Sequence, residues 1–373
     1  MKRDYRKEAV SIHGKVVIKV GTRLLTDATR IESLIRQVHN IREKGYQVIL
    51  VTSGAVGLGM KAMNLLKRPK DLSLKQALAS IGQGKLMSLY ENESQKYGFH
   101  VAQLLLSMSG LRDREQHLNV LNCINSLLQM NVLPIINEND SVSVEELTFG
   151  DNDTLAALVG MMMRCKSTII LTSVDGLYDV KDGKFGKRFS VVEKIGPEIK
   201  KLAMGTDDSQ TSVGGMISKI KAAEMAVSVG GYLWIVNGKD MSVLEKVFKA
   251  EDVGTIFAPS ENKLMASRKR WISFFTKTQG QIHIDSGAVK AIRTSGKSLL
   301  ASGIHAVYGS FKKGSMVEIA DKNGDVIAKG LANYSADDMK KIMGLKSEEI
   351  EKVLGCMEYG EAIHRDNMVI VTS

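Results

Sequence analysis

Across the first two thirds of the chain, short, mainly apolar runs alternate with stretches of helical periodicity, and polar or glycine residues gather at or directly after the ends of the runs. A run that lacks polar alternation and is apolar at most positions suits a strand buried on both faces, and strands separated by helices connect by crossovers that leave them parallel. The runs are residues 16–20, 47–51, 101–106, 132–136, 168–171 and 233–236. Helical patterns cover 31–44, 74–97, 115–130, 154–163, 218–229 and 242–248. This predicts an α/β fold with a mainly parallel sheet covered on both faces. In such sheets ligands lie outside the carboxyl ends of the strands, so the residues after each run are the first candidates for function.

At 373 residues the chain is too long for one ordinary core, which implies two domains. Its character changes near Pro259. Residues 260–267 are polar and linker-like, and short strands with tight turns follow at 281–284, 317–320, 326–329 and 367–372. Asp321-Lys322-Asn323-Gly324 is a hairpin signal between two of these strands. The expected division is therefore 13–259, a linker at 260–277, and 278–373.

A net charge of +10 raises the question of nucleic acid. From Thr278 to the end, however, twelve Lys plus Arg face twelve Asp plus Glu, so the whole excess lies in the first 277 residues. A neutral small domain argues against RNA binding as the primary function, while anionic substrates account for part of the excess elsewhere. No apolar run is long enough for a membrane span, and no apolar core follows the basic N-terminus as in a secretory signal. Cys123, Cys165 and Cys356 are widely spaced and odd in number, the pattern of reduced, mostly buried thiols in a cytoplasmic protein.

The first strand ends in Lys19-Val20-Gly21-Thr22. Glycine lets a phosphate approach the backbone and lysine supplies a compact positive charge, although a lysine near a glycine is ordinary in itself. The second strand runs into a glycine-rich turn, Thr52-Ser53-Gly54-Ala55-Val56-Gly57-Leu58-Gly59. Neither the dinucleotide fingerprint nor a Walker A loop occurs. After the fourth strand come Asn137-Glu138-Asn139-Asp140 and then Gly150-Asp151-Asn152-Asp153, which opens a helix. Such residues make turns, and Asp153 suits a helix cap. They could equally hold an ammonium group, orient lysines or bind Mg²⁺. Gly214-Gly215-Met216-Ile217-Ser218-Lys219 leads into another helix. It is either an anion site at a helix start or a flexible loop with a surface lysine.

Together these segments, with Leu171-Thr172, resemble the amino-acid kinase family. More narrowly they resemble members that phosphorylate the side-chain carboxylate of glutamate in the first step of proline biosynthesis. Ser80-Ile81-Gly82-Gln83-Gly84, Asp113-Arg114-Glu115 and Arg268-Lys269-Arg270-Trp271 extend the likeness to nearly the whole chain. The resemblance implies a three-layer α/β/α sandwich followed by a PUA domain, a small β-barrel. It implies ATP and Mg²⁺ as cofactors, L-glutamate as acceptor, proline as feedback inhibitor and a homo-oligomer. It assigns catalysis to Lys19, Lys219 and Asp153, and glutamate binding to Ser53, Gly54, Asp140 and Asn152. ATP falls to Lys19, Thr172, Ser173, Gly214, Gly215, Met216 and Lys219. No metal ligand is assigned. Two positions depart from the family pattern: Ser173 stands where an aspartate is frequent, and Val213 where a threonine is common.

Overall fold

A computed structural model describes residues 3–11, 14–25, 28–107, 110–111, 113–142, 152–181, 184–204, 215–259, 278–355 and 359–371. The chain forms two compact units, Met1–Leu264 and Met265–Ser373. The expected linker at 260–277 lies outside the described residues.

In the first unit, eight strands form one sheet in the order β3-β4-β2-β1-β5-β9-β10-β8. These are β1 (Lys15–Val20), β2 (Gln47–Val51), β3 (Val101–Leu106), β4 (Leu133–Glu138), β5 (Ser167–Thr172), β8 (Val191–Val192), β9 (Tyr232–Asn237) and β10 (Thr255–Phe257). Every neighbouring pair is parallel except β9 with β10. Strands β6 (Tyr178–Lys181) and β7 (Lys184–Arg188) form a separate hairpin. The chain fills one side of β1 with β2, β4 and β3, then crosses to β5 and β9. The switch in direction therefore falls at β1, where such folds hold their ligands.

Side chains alternate across β1. Val16, Ile18 and Val20 join a core with helix α2 (Ala28–Glu43). A Cβ built on Gly160, in a helix on the other face, would lie 3.9 Å from Val17 Cγ2. Lys19 shares the Val17 face by strand alternation.

The segment 52–59, expected as a turn, instead enters helix α3 (Ala55–Ala62) at once. Gly54 supplies the left-handed corner at φ 98°. Gly57 and Gly59 oppose a helix by propensity, but packing against α4 (Leu72–Gln95) reverses the balance. A Cβ on Gly59 would lie 1.9 Å from Leu78 O, and one on Gly82 would lie 1.8 Å from Ala55 O. The two helices therefore touch main chain to main chain.

Helix α1 (Tyr5–Val10) precedes the expected start of the first domain yet packs into this unit. Its Arg6 donates to Val253 O at 2.8 Å and pairs with Asp252 at 2.7 Å, while Ser167 Oγ donates to Ala9 O at 2.9 Å. Of the described cysteines, Cys165 is buried, which pushes its thiol up to about 12, whereas Cys123 is exposed, contrary to the expectation of mostly buried thiols.

The second unit holds a five-stranded sheet in the order β12-β11-β13-β14-β15. Its strands are β11 (Gly280–Ile284), β12 (Ile304–Gly309), β13 (Met316–Ala320), β14 (Val326–Leu331) and β15 (Met368–Ile370). The hairpin expected at Asp321–Gly324 joins antiparallel β13 and β14. Three helices, Ser286–Ser295, Ala336–Ile342 and Ser347–Leu354, go beyond the expected strands and turns and complete the core around Ile282, Ile319 and Met339.

Candidate active site

At the carboxyl end of β1 the side chain of Lys19 meets two helix starts. Helix α6 (Asn152–Met162, after α5 at Arg114–Gln129) carries Asp153 in its first turn. Helix α8 (Met216–Ser228, after α7 at Pro197–Met204) carries Lys219 in its first turn. Lys19 Nζ lies 2.7 Å from Asp153 Oδ1, and Lys219 Nζ lies 3.0 Å from Asp153 Oδ2. One carboxylate thus holds two ammonium groups, one on each oxygen. Asp153 is fully buried, and the lysines are 8% and 6% exposed.

Burial opposes ionisation of Asp153, but the two lysine charges and their hydrogen bonds outweigh it and hold the carboxyl below its usual range. Ser218 Oγ, missed in the sequence, lies 3.3 Å from Asp153 Oδ2 and donates to Gly215 O at 2.8 Å. Its one signal was its place beside Lys219 at the opening of a helix. A Cβ on Gly21 would lie 3.8 Å from Lys19 Nζ. The glycine therefore adds no side chain beside the ammonium.

The second strand end meets the same helix start. Asn152 Nδ2 donates to Thr52 O at 2.6 Å, to Ser53 Oγ at 2.9 Å and to Asn137 Oδ1 at 3.0 Å. This joins the ends of β2 and β4 to α6. Gly54 caps α3 directly after Ser53, and Asp140 stands half-buried in the turn after β4. Thr172 ends β5 and accepts from Gly238 N at 2.8 Å, with Ser173 half-buried beside it. Gly215 caps α8 and Met216 is its first residue. Gly214 and Val213 lie outside the described residues, as do Gly150 and Asp151.

The described residues contain no group of three or more metal-ligating side chains. The buried carboxylate at the centre, Asp153, already has a lysine on each oxygen. These residues do not fit a protein cage for Mg²⁺, a cation that commonly stays on phosphate oxygens and water. Among the described residues no helix is long and apolar enough to cross a membrane.

Residues 14–237 match the model of the amino acid kinase family, and residues 280–354 match that of the PUA domain. A glutamate 5-kinase of Caldanaerobacter subterraneus subsp. tengcongensis is 44% identical over 366 residues, spanning 96% of this chain and 98% of that protein. Another glutamate 5-kinase, from Moorella thermoacetica, is 43% identical over 371 residues, spanning 97% and 98%. Among solved structures, carbamate kinase from Giardia lamblia bound to AMP-PNP aligns with a TM-score of 0.45 and 17% identity, over 66% of this chain and 98% of that one. The chain belongs to the amino acid kinase family, and within that family to the glutamate 5-kinases.

Proposed function

We infer that the protein transfers the γ-phosphoryl group of ATP to the side-chain carboxylate of L-glutamate, giving glutamyl 5-phosphate in the first step of proline biosynthesis. The observation that carries this reading is the pair of lysines held on one buried carboxylate at the strand ends. Phosphoryl transfer is mainly positioning and stabilisation of charge on the moving group. Lys19 and Lys219 flank that group and neutralise its oxygens, and Asp153 fixes where the two ammonium groups stand. The acceptor carboxylate is ionised at neutral pH and needs no general base. One of its oxygens bonds to phosphorus as the bond to ADP breaks, leaving an acyl phosphate. Mg²⁺ enters with the nucleotide.

Ser53 and Gly54 receive the acceptor carboxylate, while Asp140 and Asn152 bind glutamate. Thr172, Ser173 and the segment from Val213 through Gly214, Gly215 and Met216 to Lys219 receive ATP. Feedback inhibition by proline, assembly into a homo-oligomer and a cytoplasmic location belong to the same reading. ADP release measured with glutamate, aspartate and acetylglutamate tests it. Turnover with glutamate alone is expected, and turnover with either rival alone would refute it.

Asp140→Ala separates acceptor from nucleotide. A carboxylate pairs with the substrate's ammonium, an interaction ATP does not offer. The variant should raise KM for glutamate about tenfold or more, on the scale of a charge-assisted hydrogen bond, with KM for ATP little changed. Equal rises in both constants would make Asp140 a structural residue.

The boundary between the units is proposed to lie between residues 259 and 278. Every residue given a catalytic role precedes it, so a chain cut near Ser267 should fold and keep glutamate-dependent activity. A folded but inactive product would mean that the second unit contributes to the site. Tight, salt-sensitive RNA binding by residues 278–373 would contradict the reading of that neutral unit.

A further inference from the structure

Beneath Asn152 runs a chain of amides, buried at Asn137 and Gln83, that the proposed reaction does not touch. Asn137 Nδ2 donates to Gln83 Oε1 at 2.9 Å, and Gln83 Nε2 donates to Gln103 Oε1 at 3.0 Å. Asn137 is 1% exposed and Gln83 7%, so both side chains are buried. Gln103 lies on the exposed side of β3.

Two main-chain groups fix the direction of this chain. Thr52 O can only accept, so the Asn152 atom 2.6 Å away must be the NH₂ group. Glu138 N–H can only donate, so the Asn137 atom 2.9 Å away must be the oxygen. Asn137 then points its NH₂ at Gln83, which must offer oxygen there and NH₂ to Gln103. Every amide runs the same way, and none can flip without setting donor against donor.

At the site end, Asn152 is left with its carbonyl oxygen turned away from these partners. That oxygen is buried and accepts no hydrogen bond from any described residue. A buried acceptor without a donor is costly, and a ligand carrying N–H groups relieves the cost.

We propose that Gln83, acting through Asn137, is a positioning residue that locks Asn152 with its oxygen toward the substrate, making the site selective for an acceptor that carries an amino group. The proposal rests on the glutamate reading above and deepens it. The close approach of α3 and α4 at Gly82 brings Gln83 to this depth.

The test compares glutamate with glutarate, the same dicarboxylate without the amino group, using the full-length protein. Gln83→Leu removes the acceptor for Asn137 Nδ2. It should raise KM for glutamate about tenfold, leave KM for ATP within about twofold, and erode the preference for glutamate over glutarate by a similar factor. Gln83→Glu keeps an acceptor for Asn137, and the exposed Gln103 amide can turn over to donate to it. This variant should restore KM for glutamate to within about twofold of wild type. Gln83→Met replaces the leucine variant if that does not fold. An unchanged glutamate KM, a joint rise with ATP, or no rescue by glutamate at position 83 would each overturn the proposal. If the wild-type protein does not distinguish glutamate from glutarate, the substrate reading fails as well. If only the Gln83 variants behave like wild type, the positioning role alone fails.

Discussion

Replacing Lys219 by alanine is expected to lower kcat by about 10²–10³-fold, the loss associated with removing one donor aimed at transition-state charge. Lys19→Ala should behave alike, because the two ammonium groups sit on opposite oxygens of the same carboxylate. Either single variant leaves Asp153 paired with the remaining lysine. The buried carboxylate then keeps a counter-charge, and thermal stability should change little compared with activity. Steady-state kinetics beside a melting curve checks both halves. Near-normal turnover in Lys219→Ala would remove the two-lysine mechanism. Equal collapse of stability and turnover would make the lysine a structural ion.

Asp153→Ala should behave differently, because it leaves two positive side chains facing each other with 8% and 6% exposure and no shared counterion. Stripping one partner from a buried ion pair costs about 3–5 kcal/mol, and here a like-charge repulsion is added. The variant should be both strongly destabilised and inactive. A double variant, Asp153→Ala with Lys219→Met, removes the repulsion along with its cause. It should regain a large part of the lost stability and none of the activity. If the double variant were no more stable than Asp153→Ala, the repulsion argument would fall.

Much of the parallel sheet was legible because the strands are buried on both faces. Val16–Ile18 and Val48–Val51 read as continuous apolar segments for that reason. Lys19, Asp153 and Lys219 were legible as charges placed directly at strand ends or helix starts. Helix α3 was not, since Gly57 and Gly59 argue against a helix and only the approach of α4 outweighs them. The helices of the second unit carried local signals that went unread. Asp285 accepts from Ala288 N at the start of one, and Gly296 closes it at φ 56°. The direction of the Gln103–Gln83–Asn137–Asn152 chain was beyond reach, because residues 137 and 83 are 54 positions apart and spacing along the chain does not say which amides meet.

The contact between Gly59 and the main chain of α4, and its counterpart at Gly82, works as a fixed spacer within the site. Elsewhere in a core the distance between two helices follows the volume of the side chains between them, and a substitution can widen or narrow it. Here nothing intervenes, so the separation of the Ser53 strand end from Gln83 is set by bond lengths and van der Waals radii of the backbone. Side chains on the outer faces of α3 and α4 can change in size without altering that distance. Adding a single carbon at either glycine would force the helices apart, and the amide chain would lengthen with them.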